Sequence, residues 1–90
     1  MTFNANEFDA KEVVGNDRKH VWHHITQHKP FEENDPMVIV KGEGMRVWDA
    51  KGNEYLDAVS GAVWTVNVGY GRTEIADAVR DQLVTMNYFA

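Results

Sequence analysis

Met37-Val-Ile-Val-Lys-Gly-Glu-Gly-Met-Arg-Val-Trp-Asp-Ala-Lys-Gly-Asn-Glu-Tyr-Leu-Asp57 decides the fold of this 90-residue chain. Met37–Lys41 is short and β-branched, and reads as a strand. Gly42-Glu-Gly44 is a tight turn. Met45–Asp49 alternates apolar with polar and gives a second strand. Asp49-Ala-Lys-Gly-Asn53 supplies turn chemistry, with Gly52 free to take positive φ, and Glu54–Asp57 is a third strand. Three short strands with tight links make an antiparallel meander.

Working outward, Ser60 to Gly71 is rich in small residues and reads as a loop. Thr73 is a candidate N-cap, with Glu74 suited to the helix dipole. Ile75, Val79, Leu83 and Met86 then recur on one face of an amphipathic helix of about fourteen residues. The end, Tyr88-Phe-Ala90, is apolar and reads as a chain cut within a domain. Toward the other end, residues 30–36 form a linker between two prolines. Before it, a helix capped by Asn16 or Asp17 carries Val21, Trp22 and Ile25 and stops at Lys29, ahead of Pro30. Residues 1–15 are a polar lead-in or short helix. The fold class is therefore α+β: an N-terminal helix, a three-stranded meander, a loop and a helix.

The totals narrow the function. Ninety residues allow one small domain, and three Trp, three Tyr and four Phe either fill its core or await a partner surface. A net charge of −5, with nine scattered basic residues, argues against nucleic acid. The absence of cysteine removes disulfides and thiolate metal sites. No secretory signal opens the chain and no apolar run approaches the roughly eighteen residues of a membrane span, so a cytoplasmic protein is expected.

His20, His24 and His28 share a helical spacing, with His23 beside them, but no fourth ligand completes a zinc set, so no metal is expected. Gly42-x-Gly44 and Gly69-x-Gly71 complete no phosphate-binding motif. The second reads better as a strand-to-helix corner than as a phosphate site at a helix N-terminus. Ala58-Val-Ser-Gly-Ala62 is not a nucleophile elbow. Asp57 and Glu54 offer no paired-carboxylate geometry. Trp64, a bulky aromatic among small residues, either walls a ligand pocket or fills a core, and on the residues alone the core reading carries more weight.

The run Val40–Asp57 resembles the N-terminal meander of class III (omega-type) pyridoxal-phosphate aminotransferases. Val63-Trp-Thr-Val-Asn-Val-Gly-Tyr-Gly-Arg72, Ile75–Leu83 and Val21–Phe31 resemble the segments around it. The resemblance covers residues 20–90 and implies the incomplete N-terminal segment, residues 1–90, of a fold-type I transferase. It implies pyridoxal 5'-phosphate on a lysine, an amine donor and pyruvate as small-molecule substrates, and a homodimer. The donor it suggests is taurine, giving sulfoacetaldehyde and alanine, with a β-alanine-type donor or a non-catalytic interaction module as alternatives. It places Trp64, Val63 and Phe31 at the substrate pocket. The Schiff-base lysine is expected elsewhere, because Lys41 and Lys51 match hairpin positions, so no catalytic or cofactor-binding residue is assigned. Between Asp57 and Trp64 the chain holds one residue more than the common omega-transaminase pattern.

Overall fold

The computed structural model describes residues 8–90. The sheet is three-stranded and ordered β1 (Ile39–Glu43), β2 (Arg46–Asp49), β3 (Glu54–Leu56). The helices are α1 (Ala10–His20), α2 (Pro30–Glu33) and α3 (Thr73–Thr85). The three-stranded meander and the C-terminal helix form as expected, with β1 beginning at Ile39 and not at Met37. The first turn is tighter than expected: Gly42 and Glu43 extend β1, and Gly44-Met45 makes a two-residue hairpin loop with Gly44 at φ +59°.

Two compact units divide the chain. The first takes Val47–Tyr55 and the described part of Met1–Lys41, and the second takes Gly42–Arg46 and Leu56–Ala90. In the first, Val14 of α1 and Val47 of β2 are the buried apolar side chains among the described residues. Asp49 is buried with them, and the β2–β3 turn closes on its carboxylate. Oδ1 accepts the backbone N–H of Lys51 and of Asn53, each at 2.9 Å, and Oδ2 accepts the Asn53 amide and the Tyr55 hydroxyl, each at 2.9 Å. The Asn53 amide above all, with the other donors, holds the Asp49 carboxyl down to about 2. The Tyr55 hydroxyl is pushed up by the same carboxylate.

The N-terminal helix differs from the expectation. It runs Ala10–His20, capped by Asp9, whose carboxylate accepts from the N–H of Lys11 at 3.0 Å and Glu12 at 3.3 Å. Gly15 lies inside the helix, and Asn16 and Asp17 belong to its second half. The chain leaves the helix at Val21, so His24 and His28 follow it and share no helix face with His20. Arg18, Lys19 and His20 fill the last turn, where cations suit the helix dipole. The 30–36 linker contains a single helical turn, α2, with Pro30 at its start. Arg18 ties this segment to α1 through Phe31 O at 3.0 Å, Asn34 O at 3.4 Å and the Asp35 carboxylate at 2.9 Å.

In the second unit, α3 begins at Thr73, and the cap position falls to Arg72 instead of Thr73. The Arg72 side chain donates to Val68 O at 3.2 Å and pairs with Glu74, whose carboxyl it holds below its ordinary value. Every residue of α3 is exposed, including the apolar face formed by Ile75, Val79 and Leu83. Among the described residues no helix is long and apolar enough to cross a membrane, and no group of three His, Cys, Asp or Glu side chains is arranged to hold a metal ion.

Candidate functional site

The second unit is built around one carboxylate. Asp57 follows β3, and its backbone N–H reaches Met45 O at 2.8 Å. Its Oδ1 accepts the Val59 N–H at 3.0 Å. Its Oδ2 accepts the Gly61 N–H at 2.7 Å and the Tyr70 hydroxyl at 2.6 Å. The Tyr70 bond, followed by the two backbone donors, keeps the Asp57 carboxyl below the usual carboxylate range, and the carboxylate pushes the Tyr70 hydroxyl up.

Tyr70 is itself fixed at two places. Its N–H donates to Gly44 O at 2.8 Å, and its carbonyl accepts from the Gly44 N–H at 3.1 Å. Its side chain lies against Gly42, where an added Cβ would meet the Tyr70 Cγ at 2.5 Å. Gly69 makes the same backbone approach possible: it sits at φ +84°, and a Cβ there would stand 3.0 Å from Gly44 O.

Between Asp57 and Tyr70 the chain turns sharply. Ser60, Gly61, Ala62 and Trp64 have φ of +50°, +78°, +74° and +57°, a region that costs non-glycine residues about 1–3 kcal/mol each. Wide backbone bonds close the turn: Trp64 N–H to Val59 O at 3.3 Å and Thr65 N–H to Ser60 O at 2.8 Å. The sequence suits this geometry. Small residues occupy three of the four left-handed positions, and the β-branched Val63 falls at φ −128°. The fourth is Trp64, a bulky residue held where bulky residues are rare. Its side chain is 75% exposed, so it fills no core in this chain, and Val63 beside it is half-buried. A cavity of about 150 Å3 lies between Ser60 and the hairpin end, lined by Gly44, Asp57, Ser60, Val66, Asn67 and Tyr70 among others.

Phe31 belongs to the first unit. Its ring packs edge-on against His23, with centroids 5.4 Å apart, and against His28 at 6.2 Å. His23 Nε2 lies 2.7 Å from an Asp17 carboxylate oxygen, and the His23 backbone N–H donates to His28 Nε2 at 3.0 Å. These groups line a recess of about 570 Å3 with Arg18, Val21 and Glu32. The structure therefore brings Val63 and Trp64 together on one turn and sets Phe31 among imidazoles in the other unit.

The chain's two candidate lysines bear on the cofactor. Lys41 is exposed in β1, its ammonium 4.6 Å from the Trp48 ring centroid, and Lys51 is exposed in the β2–β3 turn. Gly69 and Gly71 bring the backbone against the Gly44 and Gly42 carbonyls, which offer no donors to a phosphate. The two glycines serve the close packing of this backbone on the hairpin end, and neither lysine is set in a recess with Trp64.

Two residues that matter here, Asp57 and Tyr70, were not legible as a pair. The available signal was the composition of the turn: left-handed positions followed by Gly-Tyr-Gly need an acceptor for their free N–H groups, and Asp57 is the acid at its start.

Comparison with known proteins bears on what this arrangement serves. The family model described as Aminotransferase class-III matches residues 28–90. The hypotaurine/taurine–pyruvate aminotransferase of Paracoccus denitrificans is 64% identical over 90 residues, which is 100% of this chain and 20% of that protein. The taurine–pyruvate aminotransferase of Rhodobacter capsulatus is 57% identical over 82 residues, 91% of this chain and 18% of that one. A thermostable (S)-enantioselective omega-transaminase from Thermomicrobium roseum matches with a TM-score of 0.82 at 39% identity, over 91% of this chain and 18% of its own. The chain thus spans about a fifth of the length of the curated relatives it matches.

Proposed function

Since the chain belongs to the class-III aminotransferase family, we propose that it is the N-terminal segment of a pyridoxal-phosphate-dependent enzyme that moves the amino group of taurine to pyruvate. Sulfoacetaldehyde and alanine are the products of that transfer. The observation that carries the reading is the 64% identity, over all 90 residues, with a hypotaurine/taurine–pyruvate aminotransferase. When bound, the cofactor supplies the carbonyl that takes up the amino group and the ring that accepts the electron pair.

The contribution of this segment is recognition. Trp64 presents a wide exposed indole on the left-handed turn, and Val63 adds an apolar neighbour. Together they orient a short amine donor and exclude water from it. Phe31 is assigned as a further substrate contact on the family resemblance. The working assembly in this reading is a homodimer.

The test uses the full-length enzyme loaded with pyridoxal phosphate. Alanine formation from pyruvate is followed with taurine and with β-alanine as donors. Taurine should exceed β-alanine in kcat/KM by about tenfold or more. The reverse order assigns the enzyme to ω-amino acids, and no alanine from either donor removes the assignment.

A further inference from the structure

We propose that Tyr70 is a positioning residue for amine recognition: its hydroxyl bond to Asp57 holds the Ser60–Trp64 turn in the form that presents Trp64. The inference rests on the reading of Trp64 as a substrate wall.

The turn needs a holder. Three non-glycine residues, Ser60, Ala62 and Trp64, sit at positive φ within five positions, and a free loop of this composition relaxes out of that region. Beside the backbone bonds that close the turn, its side-chain anchor is Asp57, whose Oδ2 accepts the Gly61 N–H at 2.7 Å. A carboxylate on a two-torsion side chain has other rotamers, in which that bond is lost. The Tyr70 hydroxyl donates to the same oxygen at 2.6 Å and, with the Val59 N–H on Oδ1 at 3.0 Å, selects the rotamer. Tyr70 has no such freedom of its own. Two backbone bonds to Gly44 fix its main chain, and its ring lies on Gly42. Position therefore passes from the hairpin end through Tyr70 and Asp57 to Gly61, three residues before Trp64. Tyr70 touches no substrate in this scheme.

Tyr70→Phe removes the hydroxyl and leaves the ring on Gly42 and the Gly44 pairing in place. In the full-length enzyme, it should raise KM for the amine about three- to tenfold, the range of one net hydrogen bond. The kcat should change less than about twofold, and cofactor absorbance should be unchanged. In a Trp64→Ala background, Tyr70→Phe should have no further effect, because what it positions is gone. Asp57→Asn, whose amide oxygen replaces only part of the acceptor set, should shift KM in the same direction, and it serves if Tyr70→Phe does not fold. Wild-type KM in the Tyr70→Phe enzyme, or an effect that adds fully to Trp64→Ala, overturns the proposal while leaving the substrate wall standing. If Trp64→Ala itself leaves amine kinetics unchanged, the wall reading falls and this proposal falls with it.

Discussion

Trp64 combines two properties that seldom meet: a large apolar ring three-quarters exposed, and a left-handed backbone. With Trp64 proposed as a wall of the substrate pocket, truncation should act on binding. Trp64→Ala in the full-length enzyme is expected to lower kcat/KM for the amine at least about tenfold, with pyridoxal phosphate still bound and Tm little changed. A core tryptophan would instead cost about 3–5 kcal/mol of stability on truncation. A variant that melts far earlier yet keeps near-normal kcat/KM while folded would decide for the core. Gly42 is the opposite kind of residue, defined by what it lacks. Gly42→Ala drives a methyl into the Tyr70 ring at 2.5 Å and should destabilise by about 1–3 kcal/mol, read from chemical denaturation of the full-length enzyme.

At the level of elements, the meander and α3 were legible because their signals are local. β-branched runs end at Gly and Asn, and Ile75, Val79 and Leu83 repeat at helical spacing. The N-terminal helix stands earlier than expected, because Asp9 caps it and Val21, Trp22 and Ile25, whose spacing suggests a helix face, lie beyond its end. Gly15 meets nothing within 4 Å of an added Cβ, so the helix tolerates it at a cost of about 1 kcal/mol relative to alanine. Gly15→Ala should recover about 0.5–1 kcal/mol, measured as a higher denaturation midpoint. A lower midpoint would show that the residue has a role beyond helix propensity. The β2–β3 turn carries a pH dependence of known sign. The Asp49 carboxyl is lowered to about 2 from an ordinary 3.8, so its stabilisation is complete above pH 4 and is lost as the pH falls toward 2. Comparing wild type with Asp49→Asn, the stability gap should be full at pH 6 and shrink steadily between pH 4 and pH 2. A gap independent of pH would mean that the four donors do not discriminate the ionised form.

For the molecule as a whole, the site was half legible. Trp64 stands out as the bulky residue in a run of small ones, but Asp57 and Tyr70 lie on either side of the loop with no periodic relation, and only the folded backbone brings them to one hydrogen bond. The exposed apolar face of α3, with Tyr88 and Phe89 beyond it, is more greasy surface than a chain of 90 residues leaves open without consequence. Purified alone, these 90 residues should associate: sedimentation should show a mass rising with concentration and no cooperative melt of a monomer. A compact monomer with a sharp melt would contradict this. The Tyr70 ring over Gly42 also has a meaning for descent. Two positions far apart in the chain share one volume, so neither is free to vary by itself. A lineage acquiring a side chain at 42 must first shrink the ring at 70, and in doing so it gives up the hydroxyl that Asp57 accepts. The two sites should covary across relatives, glycine accompanying the large ring, and a family in which bulk occurs at both would have to run these strands on a different path.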